Sequence, residues 1–332
     1  MAKKSPNKME GMKALVLGGL GFIGSNVVQR CVSIGADVTA FDCMIGAYDD
    51  PLFNIHEVKG KVKVLKKDMR NADDIGKAVA GMDYIFNCAG QVSHMDSMTD
   101  PHLDIDLNLK ANINFLEACR RHNDDAKIVY VGTRAQVGKA SEFPVTEDSL
   151  PNPVDIYGIN KHAAESYHLL YGKIYGMGTT SLRLTNAFGE RSQMKHGKYG
   201  IMNWFIRLGL EGKKITVYGD GRQKRDYLYV DDVVDALVLA AMNEKSSGNY
   251  YMVSSGKTVE FIDMVKSVIK ACGSGSYSLV PWPEERKNIE AGDFEASYEK
   301  IRRELGWKPK TSFEDGLSRT VQFYKKNLEH YT

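Results

Sequence analysis

Four glycines, Gly18, Gly19, Gly21 and Gly24, separate an apolar run from an amphipathic one in the stretch ALVLGGLGFIGSNVVQRC, residues 14–31. A glycine inside a helix or strand costs about 0.5–1 kcal/mol. A chain therefore gathers glycines only where bare backbone is needed. The spacing of Gly18, Gly21 and Gly24 fits a turn from a first strand into a first helix. In such a turn Gly18 allows the tight bend and Gly21 lets the backbone approach a pyrophosphate. Gly24 lets the helix pack close to the strand, while Phe22 and Ile23 open a helix whose N–H groups and dipole favour an anion. The second apolar run ends in TAFDC, and Asp42 falls about 20 residues after the turn, where a carboxylate accepts from an adenosine ribose. A 2′-phosphate would meet a like charge there, so the cofactor expected is NAD.

The rest of the chain keeps the same rhythm. Strands are expected at 14–17, 38–41, 62–65, 84–87, 128–131 and 180–184, with helices at 22–33, 72–80, 103–121 and 157–175. This alternation builds an α/β fold, a Rossmann-type doubly wound parallel sheet. After residue 184 the rhythm breaks, and helices near 202–210, 230–242, 259–271, 297–305 and 313–327 imply a smaller C-terminal α/β lobe. Thr311 and Glu314 have capping-box spacing at the start of the last helix.

Composition excludes several classes. The 44 basic and 42 acidic residues among 332 leave a net charge of +2, so no overall field recruits nucleic acid or membrane. No run is apolar and long enough to span a bilayer. The opening MAKKSPNKMEG is basic without an apolar core and reads as a loose tail, not a signal peptide. Five scattered cysteines lack metal-ligand spacing, which implies reduced thiols, mostly packed in the core of a cytoplasmic protein, and no metal site.

A second motif lies in PVDIYGINKHAAESYHLLYG. Tyr157 and Lys161 are four apart on one expected helix face. Tyrosine titrates near 10 and is a poor base alone. A nearby ammonium stabilises phenolate and makes it a usable proton acceptor.

With these residues in order, the sequence resembles the extended short-chain dehydrogenase/reductases, in particular the NAD-dependent sugar-nucleotide epimerase/dehydratase group. The likeness runs from about residue 13 to 324. It is carried by GGLGFIG at 18–24, NCAGQ at 87–91, LNLKANINFLEAC at 107–119, VGTRAQVG at 131–138 and YGINK at 157–161. Further matches are LRLTNAFGER at 182–191, VYGDGRQKRDYLYVDD at 217–232, ERKNIEAGD at 285–293 and LGWKP at 305–309. The resemblance implies catalytic roles for Thr133, Tyr157 and Lys161. It places Asp68 and Met69 beside the adenine, Ala89, Gly90 and Gln91 along the cofactor, and Asn108 near the catalytic lysine. It assigns Asn186, Arg225 and Arg286 to the substrate diphosphate and Asp293 to the nucleotide ribose. It also implies an NAD-binding domain over 11–185 with a later contribution from about 225–255, a nucleotide-sugar lobe over 186–224 and 256–330, and a homodimer built on the helices at 103–121 and 157–175.

The two residues after Thr133 narrow the reaction. The 4,6-dehydratases of this group carry Asp and Glu there, and decarboxylases usually carry a Glu; here the residues are Arg134 and Ala135. Neither serves as a carboxylic acid or carboxylate base. The remaining set suffices for UDP-glucose 4-epimerase-like chemistry on a nucleotide-diphosphate sugar, through a transient 4-keto sugar. Dehydration, decarboxylation or reduction of a sugar nucleotide stays open as an alternative, as does a non-catalytic NAD sensor. Arg134 departs from the group's pattern and is a candidate for a polar or anionic sugar substituent or, equally, for an internal ion pair. His94, in GQVSHMDSMTDP, is a candidate for lining the sugar pocket.

Overall fold

In Lys13–Leu17 (β1), Ala14 and Val16 are buried on one side and Leu15 and Leu17 on the other. A strand dry on both faces belongs inside a parallel sheet covered by helices. The computed structural model, which describes residues 9–45 and 50–332, places it there. The basic opening expected to be a loose tail lies, up to residue 8, outside the described residues.

The next strands are β2 (Asp37–Asp42), β3 (Val62–Lys66), β4 (Tyr84–Asn87), β5 (Lys127–Thr133), β6 (Gly178–Leu184) and β7 (Asn186–Phe188). Beyond them come β8 (Lys214–Tyr218), β9 (Lys224–Tyr229), β10 (Tyr250–Val253), β11 (Thr258–Glu260) and β12 (Ser276–Val280). The helices are α1 (Phe22–Ser33), α2 (Ala72–Val79), α3 (His94–Thr99), α4 (Pro101–Ile105), α5 (Ala111–His122) and α6 (Ile156–Tyr175). In the second half lie α7 (Ile201–Leu210), α8 (Val230–Ala241), α9 (Phe261–Cys272), α10 (Glu284–Asn288), α11 (Glu299–Leu305) and α12 (Phe313–Asn327). Seven strands form one parallel sheet in the order β10-β6-β5-β4-β1-β2-β3. This is a Rossmann-like doubly wound sheet, with α1 and α8 over one face and α2 and α5 over the other. A smaller sheet, β11-β9-β7, and the pair β12-β8 make the second lobe.

The structure amends several sequence expectations. The helix expected over 103–121 is α4, a π-helical turn at Asp106–Lys110, and α5. Such wide turns occur mostly as functional insertions, and this one holds Asn108, which is fully buried. The helix expected from 259 starts at Phe261 because Val259 pairs with Arg225 across β11 and β9. The last helix is capped by Ser312, whose hydroxyl accepts from the Asp315 N–H, and not by Thr311. Thr311 is diverted because its N–H, with that of Lys310, donates to the buried Asp232 carboxylate. Of the cysteines, Cys31, Cys119 and Cys272 are buried, Cys88 is half-buried and Cys43 is exposed.

The glycine turn shows why bare backbone is needed. Gly18 has φ +69°, and a β-carbon on residue 24 would lie 2.0 Å from the Gly18 carbonyl oxygen. Helix α1 can rest on β1 only because that atom is missing. A β-carbon on Gly21, by contrast, would meet the same oxygen at 3.3 Å. Gly24→Ala is therefore expected to cost about 3 kcal/mol or more in denaturant unfolding, since backbone must part. Gly21→Ala is expected to lose far less stability; equal losses in the two variants would contradict this account of the turn.

Candidate active site

The candidate cofactor residues at 18–24, 42, 68–69 and 89–91 lie at or just beyond the carboxyl ends of β1 to β4, around the point where strand order reverses between β1 and β4. Gly21 is the N-cap of α1, no side chain caps that helix, and no acidic residue stands in its first turn. The N–H groups around Phe22, Ile23 and Gly24 are thus left to an external anion. Asp42, at the end of β2, accepts from the Leu20 N–H at 3.0 Å and the Met44 N–H at 2.7 Å. Burial pushes its carboxyl up, and those two N–H groups pull it back. Its carboxylate ties the glycine turn to the place where an adenosine ribose would lie. The open helix terminus and the strand-end carboxylate fit a dinucleotide. Asp68 is held by Arg70 through a bidentate pair at 2.6–3.1 Å, which keeps its carboxyl below the usual range. Met69 is buried in the core.

Ala89, Gly90 and Gln91 come after β4 and are held by a carboxylate that sequence reasoning passed over. Buried Asp104 accepts from Gln91 Nε2 at 2.8 Å, Asn108 Nδ2 at 3.0 Å and Asn160 Nδ2 at 2.7 Å. Asn108 Nδ2 also donates to the Gln91 carbonyl at 3.0 Å. One acid thus joins the β4 loop to the first turns of α6. Asp104 stands four residues before Asn108, and that helical spacing was its only visible signal.

Tyr157 sits in the first turn of α6 and is 6% exposed. The helix begins at Asp155, another residue the sequence reading missed despite its N-cap position; its Oδ1 accepts from the Gly158 N–H at 2.7 Å. Its Oδ2 meets His94 Nδ1 at 2.5 Å, and the His94 ring stands edge-on to Tyr157 with centroids 5.1 Å apart. Thr133, ending β5, stands beside the Tyr157 phenol and caps the turn after it by accepting from the Ala135 N–H at 3.2 Å. Burial pushes the phenol well above its ordinary value, opposed by the Thr133 hydroxyl and by the positive charge of Arg134.

Lys161 shares the helix face with Tyr157, as its spacing required, yet its ammonium is occupied elsewhere. Nζ donates to the Val131 carbonyl at 2.8 Å and lies 4.2 Å from the centroid of the Tyr130 ring. Burial pushes it down to about 8. The positive charge of Arg134 also bears on the Tyr157 phenol, a proximity the YxxxK spacing did not reveal.

The second lobe brings Asn186, Arg134 and Arg225 together. Arg134 Nε donates to Asn186 Oδ1 at 3.2 Å, and Arg225 and Glu290 both act on the Arg134 charge. Arg225 pairs with Glu290 and donates to the carbonyls of Lys224 and Gly292. Asp293 accepts from the Lys224 N–H at 2.8 Å. Arg286 lies apart, over the Tyr218 ring. Among the described residues no cluster of metal-ligating side chains is found and no helix is long and apolar enough to cross a membrane.

The value near 8 for Lys161 gives a pH test. If its ammonium also binds the cofactor, NAD affinity should be flat below about pH 7 and weaken as pH rises through 8, approaching about tenfold per pH unit. Lys161→Met should bind NAD more weakly with no such limb in calorimetric titrations; an unchanged limb would assign the titration to another group.

The profile of the NAD dependent epimerase/dehydratase family matches residues 14–254. The chain is 30% identical to the UDP-glucose 4-epimerase of Mycolicibacterium smegmatis over 325 residues, 96% of this chain and 100% of that one. A crystal structure of UDP-glucose 4-epimerase from Thermotoga maritima with UDP-glucose superposes with a TM-score of 0.85 at 28% identity, covering 96% of this chain and 100% of that one. The Thermus thermophilus UDP-glucose 4-epimerase complex with NAD gives 0.84 at 29%, covering 95% and 99%. The chain therefore belongs to the NAD dependent epimerase/dehydratase family, and its cofactor is NAD.

Proposed function

We propose that the protein epimerises a nucleotide-diphosphate sugar at C4, with Tyr157 as proton acceptor and Thr133 and Lys161 as its partners. The observation that carries this reading is the buried Tyr157 phenol beside Thr133, with Arg134 and Ala135, and no carboxylate, next in the chain after that threonine. Bound NAD supplies the acceptor and later the donor of hydride at the sugar carbon. Tyr157 takes the C4 hydroxyl proton and returns it when the carbon is reduced on its other face. Thr133 holds the same oxygen by a hydrogen bond. Proton release and return by one group suits a net isomerisation, in which nothing is added or lost. In this reading Gly21, Phe22, Ile23, Asp42 and 89–91 hold NAD, Asn186, Arg225 and Arg286 hold the nucleotide diphosphate, and Asp293 lies by the nucleotide ribose. We assign 11–185, with a later contribution from about 225–255, to the cofactor domain.

The test is incubation with UDP-, GDP-, dTDP- and CDP-sugars, with product stereochemistry read by NMR. C4 inversion of at least one is expected, and loss of water or of carbon dioxide instead would replace the reading. Tyr157→Phe should keep its fold and NAD yet lose about 10²–10⁴-fold in turnover, and Thr133→Val should lose less. Near-normal turnover in Tyr157→Phe would move the proton acceptor elsewhere, with His94 next in line. Because Asp42 faces the ribose side of the turn, NAD should raise the melting temperature well ahead of NADP; the reverse order would refute that role.

The assembly proposed is a homodimer. Ala111 and Phe115 are core residues, but α6 exposes Ile159, Tyr167, Leu170 and Ile174 at helical spacing. An apolar stripe of this kind favours a second copy as its cover. Light scattering at micromolar concentration should give twice the chain mass, and a monomer would rule the dimer out.

A further inference from the structure

Arg134 carries no ion pair among the described residues. Its Nε is engaged by the neutral Asn186 amide, and the Phe294 ring lies 5.3 Å from its guanidinium carbon. Glu290, whose carboxylate acts on the Arg134 charge, is paired with Arg225. A partly buried guanidinium roofed by an apolar ring and beside a second arginine is unfavourable unless an anion completes it. A second observation points to the same place. The Tyr227 hydroxyl is buried without a hydrogen-bond partner, and Tyr227 stands in register with Asn186 across β7 and β9. Tyr227 and Arg134 also act on each other electrostatically. Buried donors are rarely left unsatisfied. One anion could take the guanidinium and the phenol together.

The position of Arg134 says which anion. It comes directly after Thr133, which stands beside the Tyr157 phenol where the C4-epimerase reading puts the reacting sugar oxygen. A substrate group held here would be attached beside the reacting carbon. We propose that Arg134 and Tyr227 form a carboxylate subsite, so that the substrate is a nucleotide-linked acidic sugar of the uronic acid kind. This rests on the C4-epimerase reading for its placement beside the reacting carbon. Arg225, bound to the Lys224 and Gly292 carbonyls, remains the diphosphate candidate. Guanidinium suits a carboxylate because its planar fork matches two oxygens.

The test is competitive binding to the NAD-loaded protein of UDP-glucuronate against UDP-glucose, and of GDP-mannuronate against GDP-mannose, with UDP and GDP alone as references. In at least one pair the acid should bind about tenfold or more tighter than the neutral sugar. Arg134→Met should bring that pair to within about twofold while the free nucleotide keeps its affinity, and Tyr227→Phe should remove a smaller part of the preference. Retained NAD binding reports that each variant is folded. No preference for the acid in either pair overturns the proposal, including the case in which none of the sugars binds. It is equally overturned if Arg134→Met weakens the free nucleotide as much as the acid sugar, since the arginine would then serve the diphosphate. NMR of the same mixtures separates this from the reading beneath it. C4 inversion of neutral sugars without acid preference leaves the epimerase and removes the subsite. Acid preference without C4 inversion keeps the subsite and removes the epimerase.

Discussion

Gly24 lies so close to the Gly18 carbonyl oxygen that no β-carbon fits between them, and much else depends on that approach. It lets α1 settle on β1, which points the helix N-terminus across the carboxyl edge of the sheet. Asp42 then secures the turn by accepting from the Leu20 N–H. Asn54 adds a second tie, donating to the Leu20 and Arg191 carbonyls and accepting from the Tyr331 hydroxyl. The N-terminal end of α1 is therefore braced from the second strand, the connection between β2 and β3, and the far end of the chain.

The catalytic side is braced differently, by two buried carboxylates. Asp104 gathers three amide side chains from separate segments, and Asp155 both starts α6 and holds His94. A carboxylate taken out of water this way is tolerable only because each is met by several donors. The result is order. Tyr157 can be placed within reach of Thr133 because the first turn of α6 has no freedom to drift.

How much of this was legible depended on range. The glycine turn, the strand–helix alternation and the Tyr157–Lys161 face are written in spacings of a few residues, and each stands where spacing put it. The strands of the second lobe were not read, since β7 and β11 are three residues long and carry no alternation to count. Thr311 was misread as a cap because its competitor, Asp232, lies 79 residues away. The same distance hid the company kept by Arg134. Only folding shows that Asn186 and Tyr227 flank it while Glu290 is taken by Arg225. Local pattern carried the glycine turn and the Tyr157–Lys161 face, and tertiary packing decided which side chains surround Arg134.

The strand at Tyr250–Val253 closes the edge of the large sheet against β6, after the chain has left to build β7, β8 and β9. During synthesis from the N-terminus, the cofactor half therefore emerges with β6 as a bare edge and stays so until more than sixty further residues have left the ribosome. An unpaired parallel edge is a place where wrong strands join. The loops and helix between must collapse beside it before the proper partner arrives. The order of the chain thus makes the segment between β6 and β10 a companion to the folding of the sheet it interrupts.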